Sequence, residues 1–278
     1  MKIDKKEIDK IVSRALKEDI GTGDITSTLI ISRDKKAKAF ILSKEEGVIA
    51  GLQVAKSVFK KLDKNIRWRN LVKEGEVVSA GTKIALVEGH YRALLTGERT
   101  ALNFLQRMSG IASITLKYVE QLYGLKTKIL DTRKTVPGLR LLDKYSVHKG
   151  TGTNHRIGLY DMVMIKDNHI KAAGGISKAV THIKKKLYKK IKIEVETTTL
   201  EEVKEALNSG ADIIMLDNMS IKLMNEAVKL INGKAKVEAS GGVEIDSVRK
   251  IAETGVDYIS VGALTHSVKA LDIAMYFQ

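Results

Sequence analysis

The sequence contains no cysteine, which excludes disulfides, thiolate nucleophiles and cysteine-bound metals. Aromatic side chains are also scarce, with 4 Phe, 1 Trp and 8 Tyr, and no motif combines basic with aromatic residues to stack on nucleic-acid bases. No apolar run approaches the roughly 18 residues that a membrane-spanning helix needs. The charged N-terminal segment MKIDKKEIDK is unlike a signal peptide. We therefore expect a cytoplasmic protein without a membrane partner.

Three catalytic motifs are missing as well. The chain has neither the G-x-S-x-G turn of α/β-hydrolases nor a Walker A loop. The segments GTGDIT and GTGTNH both lack the third glycine of the dinucleotide-binding fingerprint. These absences weaken interpretations as a hydrolase, an ATPase or a dehydrogenase.

Basic residues are in excess, because 48 Lys+Arg face 33 Asp+Glu and give a net charge of +15. Such a balance is typical of a nucleic-acid surface, of chemistry on anionic small molecules, or of a solvated lysine coat such as Lys184–Lys186. Composition alone does not choose among the three. The scarcity of stacking side chains disfavours the first, so we expect no nucleic-acid partner.

The first third of the chain predicts a small α/β domain. Apolar residues at helical spacing predict an amphipathic N-terminal helix that ends before Gly21. Residues 37–89 hold short extended runs around one helical stretch, LQVAKSVFKKL. Residues 91–122 are helical again, with a break expected at Ser109–Gly110. We place the first domain at 1–107, with 268–278 packing back on it, and the second at 108–267.

The second domain has a different sequence pattern, in which short apolar runs about 20 to 35 residues apart alternate with helical segments. The runs are TKILD (127–131), DMVMIK (161–166), IKIEVE (191–196), ADIIMLD (211–217), AKVEAS (235–240) and VDYISVG (256–262). Their nearly continuous apolar character is typical of parallel strands covered on both faces. Six runs predict a parallel α/β barrel with fewer than eight strands.

Each run ends in polar or glycine residues, and barrel enzymes carry their chemistry at these strand ends. In chain order the ends are Asp131 to Lys134; Lys166 to His169; Glu196; Asp217 with Asn218; Ser240, Gly241 and Gly242; and Gly262 with Ala263. Cations at the first two ends, carboxylates at the next two and glycine loops at the last two would form sites for an anion, a metal and a phosphate.

Each group also has a purely structural interpretation. The glycine loops resemble ordinary strand-to-helix turns, although such turns also bind phosphate through backbone N–H groups. Glu196 and Asp217 could be structural, but hard oxygen ligands without a histidine favour Mg²⁺ held jointly with substrate phosphates. Arg133, Lys134, Arg156 and Lys166 concentrate positive charge that an anion would neutralise. His155 between them, taken alone, is more often a hydrogen-bonded structural histidine.

At these residues the sequence resembles the quinolinate phosphoribosyltransferase family over nearly its whole length. The matching segments are EDIGTGDIT (18–26), GERTALNFLQRMSGIAS (97–113), DTRKTVPGLR (131–140), NHRIGLYDMVMIKDNH (154–169), IEVET (193–197), IMLDN (214–218) and EASGGV (238–243). Val136, where the family commonly has threonine, and the GTGT before Asn154 are minor departures.

The resemblance implies an N-terminal α/β sandwich and an incomplete barrel, in a homodimer or a multiple of dimers. It implies transfer of phosphoribosyl from phosphoribosyl pyrophosphate to quinolinate, with decarboxylation to nicotinate mononucleotide in NAD biosynthesis. Its quinolinate pocket would comprise Thr132, Arg133, Lys134, His155, Arg156, Lys166 and, from the neighbouring subunit, Arg99. Glu196 and Asp217 would face ribose and Mg²⁺, with Lys134 as the third catalytic residue. Ser240–Gly242 and Gly262–Ala263 would bind the 5′-phosphate.

Two other functions stay open at this stage. A related phosphoribosyltransferase-like protein could act on another anionic substrate, and would differ in the carboxylate pocket. A non-catalytic basic barrel could bind RNA, and that binding would weaken steeply with salt.

Overall fold

The computed structural model describes residue 1, residues 3–187 and residues 191–278. Two compact units emerge, and each is formed by several stretches of the chain. The first unit comprises residues 1–116, 135–151 and 264–278, and the second comprises residues 117–134 and 152–263. The predicted domain boundary between residues 107 and 108 stays a prediction.

The first unit is built on an antiparallel sheet. Its N-terminal elements are α1 (Lys5–Ile20), α2 (Ile25–Ile30), β1 (Lys36–Ser43), β2 (Gly47–Val48), α3 (Leu52–Leu62), β3 (Arg67–Asn70), β4 (Val77–Val78) and β5 (Lys83–His90). A later strand, β12 (Ile273–Phe277), pairs antiparallel with β1, and the sheet order is β12-β1-β5-β3. The α1 helix is amphipathic as predicted: it buries Ile8, Val12 and Leu16, and the Asp4 side chain caps its N-terminus.

The helix α4 (Tyr91–Glu120) is continuous over 30 residues, so the predicted break at Ser109–Gly110 is wrong. The two residues have packing roles instead. The Ser109 hydroxyl bonds both the N–H and the C=O of Ala50. A Cβ at Gly110 would lie 2.3 Å from the carbonyl oxygen of Lys269, so only glycine permits this close backbone approach.

The second unit contains a six-stranded parallel sheet, as the apolar runs predicted. Its strands are β6 (Lys128–Leu130), β7 (Val163–Ile165), β8 (Ile193–Thr197), β9 (Ile213–Asp217), β10 (Lys236–Ser240) and β11 (Tyr258–Ser260). The order β6-β11-β10-β9-β8-β7 confirms the α/β class and the strand number below eight. The N–H of Thr153 also bonds the Ile129 carbonyl beside β6.

Helices follow these strands along the chain. Those of the second unit are α6 (Asp167–Ala173), α7 (Ile176–Lys186), α8 (Leu200–Asn208), α9 (Ile221–Ile231) and α10 (Ile245–Ala252). The helix α5 (Arg140–Lys149) and most of the short α11 (Ala263–His266) belong to the first unit. In β9 the residues Ile213 to Leu216 are all buried, as expected for a strand covered on both faces. Among the described residues, no helix is long and apolar enough to cross a membrane.

Candidate active site

The predicted residues of the second unit gather at one edge of its sheet. Parallel strands present their carboxyl ends on the same side, and Asp217 at the end of β9 lies opposite Ser240 at the end of β10. On the next strand, Glu196 lies opposite Met215. Lys166 follows β7, Gly262 follows β11, and Thr132 to Lys134 follow β6. The edge therefore carries the groups predicted at the strand ends, whereas His155 and Arg156 lie in the segment before β7. Arg99 lies exposed on α4 in the first unit.

Lys166 and Glu196 form an ion pair at this edge. The Nζ atom of Lys166 lies 2.9 Å from Oε2 of Glu196, with the lysine side chain 46% exposed and the glutamate 14% exposed. The backbone N–H of Lys166 donates to Nδ1 of His169 at the start of α6. Because the lysine is half exposed, this pair contributes little to stability but holds its ammonium beside a carboxylate where a substrate can reach both.

The glycine loop after β10 is shaped by contacts with Asn218. The Asn218 amide donates to Oδ2 of Asp217 at 3.0 Å, and its backbone N–H donates to the Ser240 carbonyl at 2.9 Å. Gly241 has φ +94°, and a Cβ there would lie 2.2 Å from Oδ1 of Asn218. Gly242 has φ +58°, but a Cβ would meet no atom within 4 Å, so this part of the loop faces open space. Such a backbone is accessible to a phosphate.

Arginine side chains add positive charge beside β7. The Arg156 guanidinium donates to the Met162 carbonyl at 3.3 Å and contacts Sδ of Met164 at 3.4 Å. Burial, followed by the nearby charge of Arg133, lowers the pKa of Arg156, although Glu194 and Asp161 act in the opposite direction. An anionic ligand between two such cations would relieve their repulsion.

His155 is held by protein groups at both ring nitrogens. Its Nε2 lies 3.1 Å from Oε2 of Glu194 and 3.3 Å from Oε2 of Glu238, and its side chain is only 6% exposed. Its Nδ1 accepts the backbone N–H of Arg156 at 2.7 Å. The backbone N–H of His155 donates to the buried carboxylate of Asp131 at 2.9 Å. The ring therefore matches the structural interpretation of this histidine, and its predicted contact with quinolinate stays a prediction.

This buried group, comprising His155, Glu194, Glu238 and Ser260, is here called the inner cluster. The Ser260 hydroxyl donates to Oε1 of Glu238. Burial lowers the pKa of His155, but the interactions with Glu194 and Glu238 outweigh it and raise that pKa to about 9. Burial also raises the pKa of Glu194 to about 7. Since Nδ1 accepts the Arg156 N–H, the hydrogen of the ring is on Nε2, which faces the two carboxylates.

Two groups of side chains contain carboxylates that could hold a cation. His155, Glu194 and Glu238 offer ligand atoms within 4.8 Å of one another. Mg²⁺, however, binds oxygen ligands and keeps several waters, which suits neither an imidazole nor a fully buried site. Glu196 and Asp217 are only partly buried carboxylates at the substrate edge. They are therefore the better partners for a magnesium ion bound largely through substrate phosphates.

Sequence reasoning missed Glu194, Glu238 and Ser260 because it considered only the residues at strand ends. The sequence does show these glutamates, two residues before the strand-end residues that were considered. Glu194 precedes Glu196 by two residues, and Glu238 precedes Ser240 by two, so each pair shares one face of its strand. A glutamate in the middle of an otherwise apolar parallel strand is buried, and a buried carboxylate requires a partner.

Two family models match almost the whole chain. The model for the N-terminal domain of quinolinate phosphoribosyl transferase matches residues 24–109, and the model for its C-terminal domain matches residues 111–276. The chain belongs to the quinolinate phosphoribosyltransferase family. This confirms the resemblance found in the sequence and identifies the chain as a transferase of NAD biosynthesis.

Relatives in this family match nearly the whole of this chain. A probable nicotinate-nucleotide pyrophosphorylase of Bacillus subtilis is 45% identical, with 97% of this chain and 93% of the relative covered. A chloroplastic enzyme of the same name from rice is 46% identical, with 97% and 77% covered. The crystal structure of NadC from Streptococcus pyogenes superposes with a TM-score of 0.96 at 40% identity, covering 100% and 99%. The nicotinate-nucleotide pyrophosphorylase of Francisella tularensis gives 0.95 at 45% identity, covering 100% and 98%.

Proposed function

We propose that the edge described above transfers phosphoribosyl from phosphoribosyl pyrophosphate to quinolinate, releasing pyrophosphate and CO₂ and giving nicotinate mononucleotide. The observation that carries this proposal is the arrangement of the strand ends. Basic groups follow β6 and β7, carboxylates end β8 and β9, and a glycine loop follows β10. The substrates carry two carboxylates, a monophosphate and a pyrophosphate, and each has a group of matching chemistry at this edge.

Quinolinate binds at the basic side. Arg133 and Arg156 offer planar guanidiniums that fit a carboxylate through two parallel hydrogen bonds. Lys134 and Lys166 add point charges, and the Thr132 hydroxyl, which accepts the Lys134 N–H at 3.0 Å, orders the turn that carries them. Burial and, after it, the nearby charge of Arg133 lower the pKa of Arg156, and an anion bound beside both arginines would offset that repulsion.

Phosphoribosyl pyrophosphate binds on the opposite side of the edge. Its 5′-phosphate lies on the backbone of Ser240–Gly242 and Gly262–Ala263, while Glu196 and Asp217 face the ribose. Glu196 and Asp217 would also hold a magnesium ion bound with the pyrophosphate, and that ion would supply positive charge to neutralise the leaving group. The two carboxylates stabilise positive charge at the ribose C1 as its bond to pyrophosphate breaks and the quinolinate nitrogen bonds to C1.

Decarboxylation follows on the product ring. The bond between the ring carbon and its carboxylate breaks, and the electron pair stays on that carbon, stabilised by the pyridinium nitrogen beside it. The ring carbon then takes up a proton, and CO₂ leaves. The protein needs to supply little acid–base chemistry in this step, while Lys134 keeps the ring in position.

Arg99 acts in the site of a second copy of this chain, in a homodimer. An apolar patch in the first unit supports such an interface. Ile25, Leu29 and Ile30 on α2 are 72%, 80% and 77% exposed, and adjacent exposed apolar side chains of this size mark contact surfaces. In a two-fold dimer, each subunit offers the same patch and the same arginine.

The decisive experiment measures CO₂ released from quinolinate labelled at the carboxylate that is lost. Release is expected only when both phosphoribosyl pyrophosphate and Mg²⁺ are present. Release without phosphoribosyl pyrophosphate, or none under any condition, would contradict the proposal. Salt-sensitive binding of RNA without turnover would instead support the basic RNA-binding barrel.

A further inference from the structure

Glu194 is a buried carboxylate with an incomplete set of hydrogen bonds. It is 0% exposed, and within the described ranges neither of its carboxylate oxygens has a hydrogen-bond donor of good geometry. Its close polar contact is Nε2 of His155 at 3.1 Å. Burying an ionised carboxylate costs stability, and a buried charged group as a whole can often be replaced by apolar side chains without loss of stability. The fold alone therefore does not explain a glutamate at this position.

Glu194 is connected to Arg156 through His155, by one contact on each ring nitrogen. Glu194 and Glu238 approach Nε2 of His155 from strands β8 and β10, at 3.1 and 3.3 Å, and their negative charges attract that side of the ring. The ring then accepts the Arg156 N–H at Nδ1, which fixes the backbone from which the Arg156 side chain departs. The charge of Glu194 also acts directly on the Arg156 guanidinium. The guanidinium itself is restrained by Met162 and Met164.

We infer that Glu194 is a positioning residue for quinolinate, which acts through His155 to hold Arg156 in the orientation that receives a substrate carboxylate. Glu238 supports the ring from the other side and is in turn held by Ser260. This inference rests on the proposed role of Arg156 in binding quinolinate. It assigns both ring nitrogens of His155 to protein contacts, so His155 belongs to the support of the pocket rather than to its lining.

The test compares two replacements of Glu194. Glu194→Met keeps the length of the side chain and removes the acceptor, whereas Glu194→Gln keeps an oxygen that can face Nε2. We expect Glu194→Met to raise the quinolinate dissociation constant about tenfold, while the KM for phosphoribosyl pyrophosphate changes less than twofold. Glu194→Gln should recover most of the quinolinate affinity. Melting temperatures are measured alongside, because removing one partner of a buried charge pair can itself lower stability, and the split between the two substrate constants is the readout that stability alone does not move.

Thr254→Val is the matched control for the loss of a buried polar contact. Thr254 is 7% exposed and donates to the Ile251 carbonyl at the opposite edge of the sheet, just before β11. This variant should melt earlier and leave both substrate constants unchanged. If Glu194→Met instead behaves like Thr254→Val, or weakens both substrates equally, Glu194 has only a structural role and the inference is wrong.

Combining Glu194→Met with Arg156→Gln distinguishes failure of this inference from failure of the proposed quinolinate pocket. Arg156→Gln should itself weaken quinolinate binding, and Glu194→Met added to it should have no further effect. Fully additive losses would show that Glu194 does not act through Arg156. Unchanged binding in Arg156→Gln alone would instead contradict the proposed pocket. If Glu194→Met does not fold, Glu238→Met is measured in the same comparison, with the same expected outcome.

Discussion

The glycine loop after β10 provides the sharpest test of how the substrate edge is built. Replacing Gly241 by alanine places a Cβ at φ +94°, a conformation that costs an L-residue roughly 1–3 kcal/mol. The same Cβ would lie 2.2 Å from Oδ1 and 2.9 Å from the backbone nitrogen of Asn218. Asn218 must therefore move, which breaks its hydrogen bond to Asp217 and displaces the loop. We expect a loss of about 2–4 kcal/mol in the free energy of unfolding.

Gly233→Ala is the control for strain alone. Gly233 has φ +72° and nothing within 4 Å of an added Cβ, and it precedes β10 at the far edge of the sheet. It should lose only about 1–2 kcal/mol. Denaturant unfolding measures both losses, and steady-state kinetics should show a raised KM for phosphoribosyl pyrophosphate in Gly241→Ala only. Equal stability losses with an unchanged KM would refute the structural role assigned to Asn218 and this loop.

Three further predictions concern the charged residues of the site. Lys134→Ala and Lys166→Ala should each lower quinolinate affinity roughly tenfold, since a charge-assisted contact contributes about 1.5–3 kcal/mol; unchanged kcat/KM in a folded variant would contradict this. The Glu196→Gln and Asp217→Asn changes should lower kcat more than quinolinate affinity, and an unaltered kcat in the double variant would make both carboxylates structural. Mixing Arg99→Ala with Lys166→Ala should give about half heterodimers and restore roughly a quarter of all sites, which is measured at a quinolinate concentration low enough that neither variant alone turns over appreciably. No recovery, despite heterodimers seen by native mass spectrometry, would place Arg99 outside the partner's site.

The barrel was predictable because its strands carry a signal that does not depend on the rest of the fold. Buried parallel strands are nearly continuous apolar runs, and each predicted run contains one strand of the sheet. The edge of the sheet at which the candidate site lies was also predictable. Carboxyl ends of parallel strands share one side, so residues distant in sequence had to lie near one another.

Features that depend on tertiary partners were not predictable from the pattern of apolar residues. Asp143 and Lys144 are fully buried in α5, so this helix lacks a purely apolar face. Asp143 forms an ion pair with Arg107 of α4. Ser109–Gly110 has the composition of a helix break, but tertiary packing uses both residues within α4. The inner cluster was missed for a similar reason, since its glutamates lie within strands and their partners come from other strands.

The pairing of β1 with β12 has a consequence for how the chain folds. Residues 44–272 separate the two strands, so their pairing closes an unusually long loop, and such contacts form slowly. During synthesis on a ribosome, β5 follows soon after β1, but the other edge of β1 has no strand to pair with until residues 273–277 emerge. Over that interval, Phe40 and its neighbours present an open strand edge of the kind that recruits foreign chains. A nascent chain stalled before residue 273 should therefore be especially prone to aggregation.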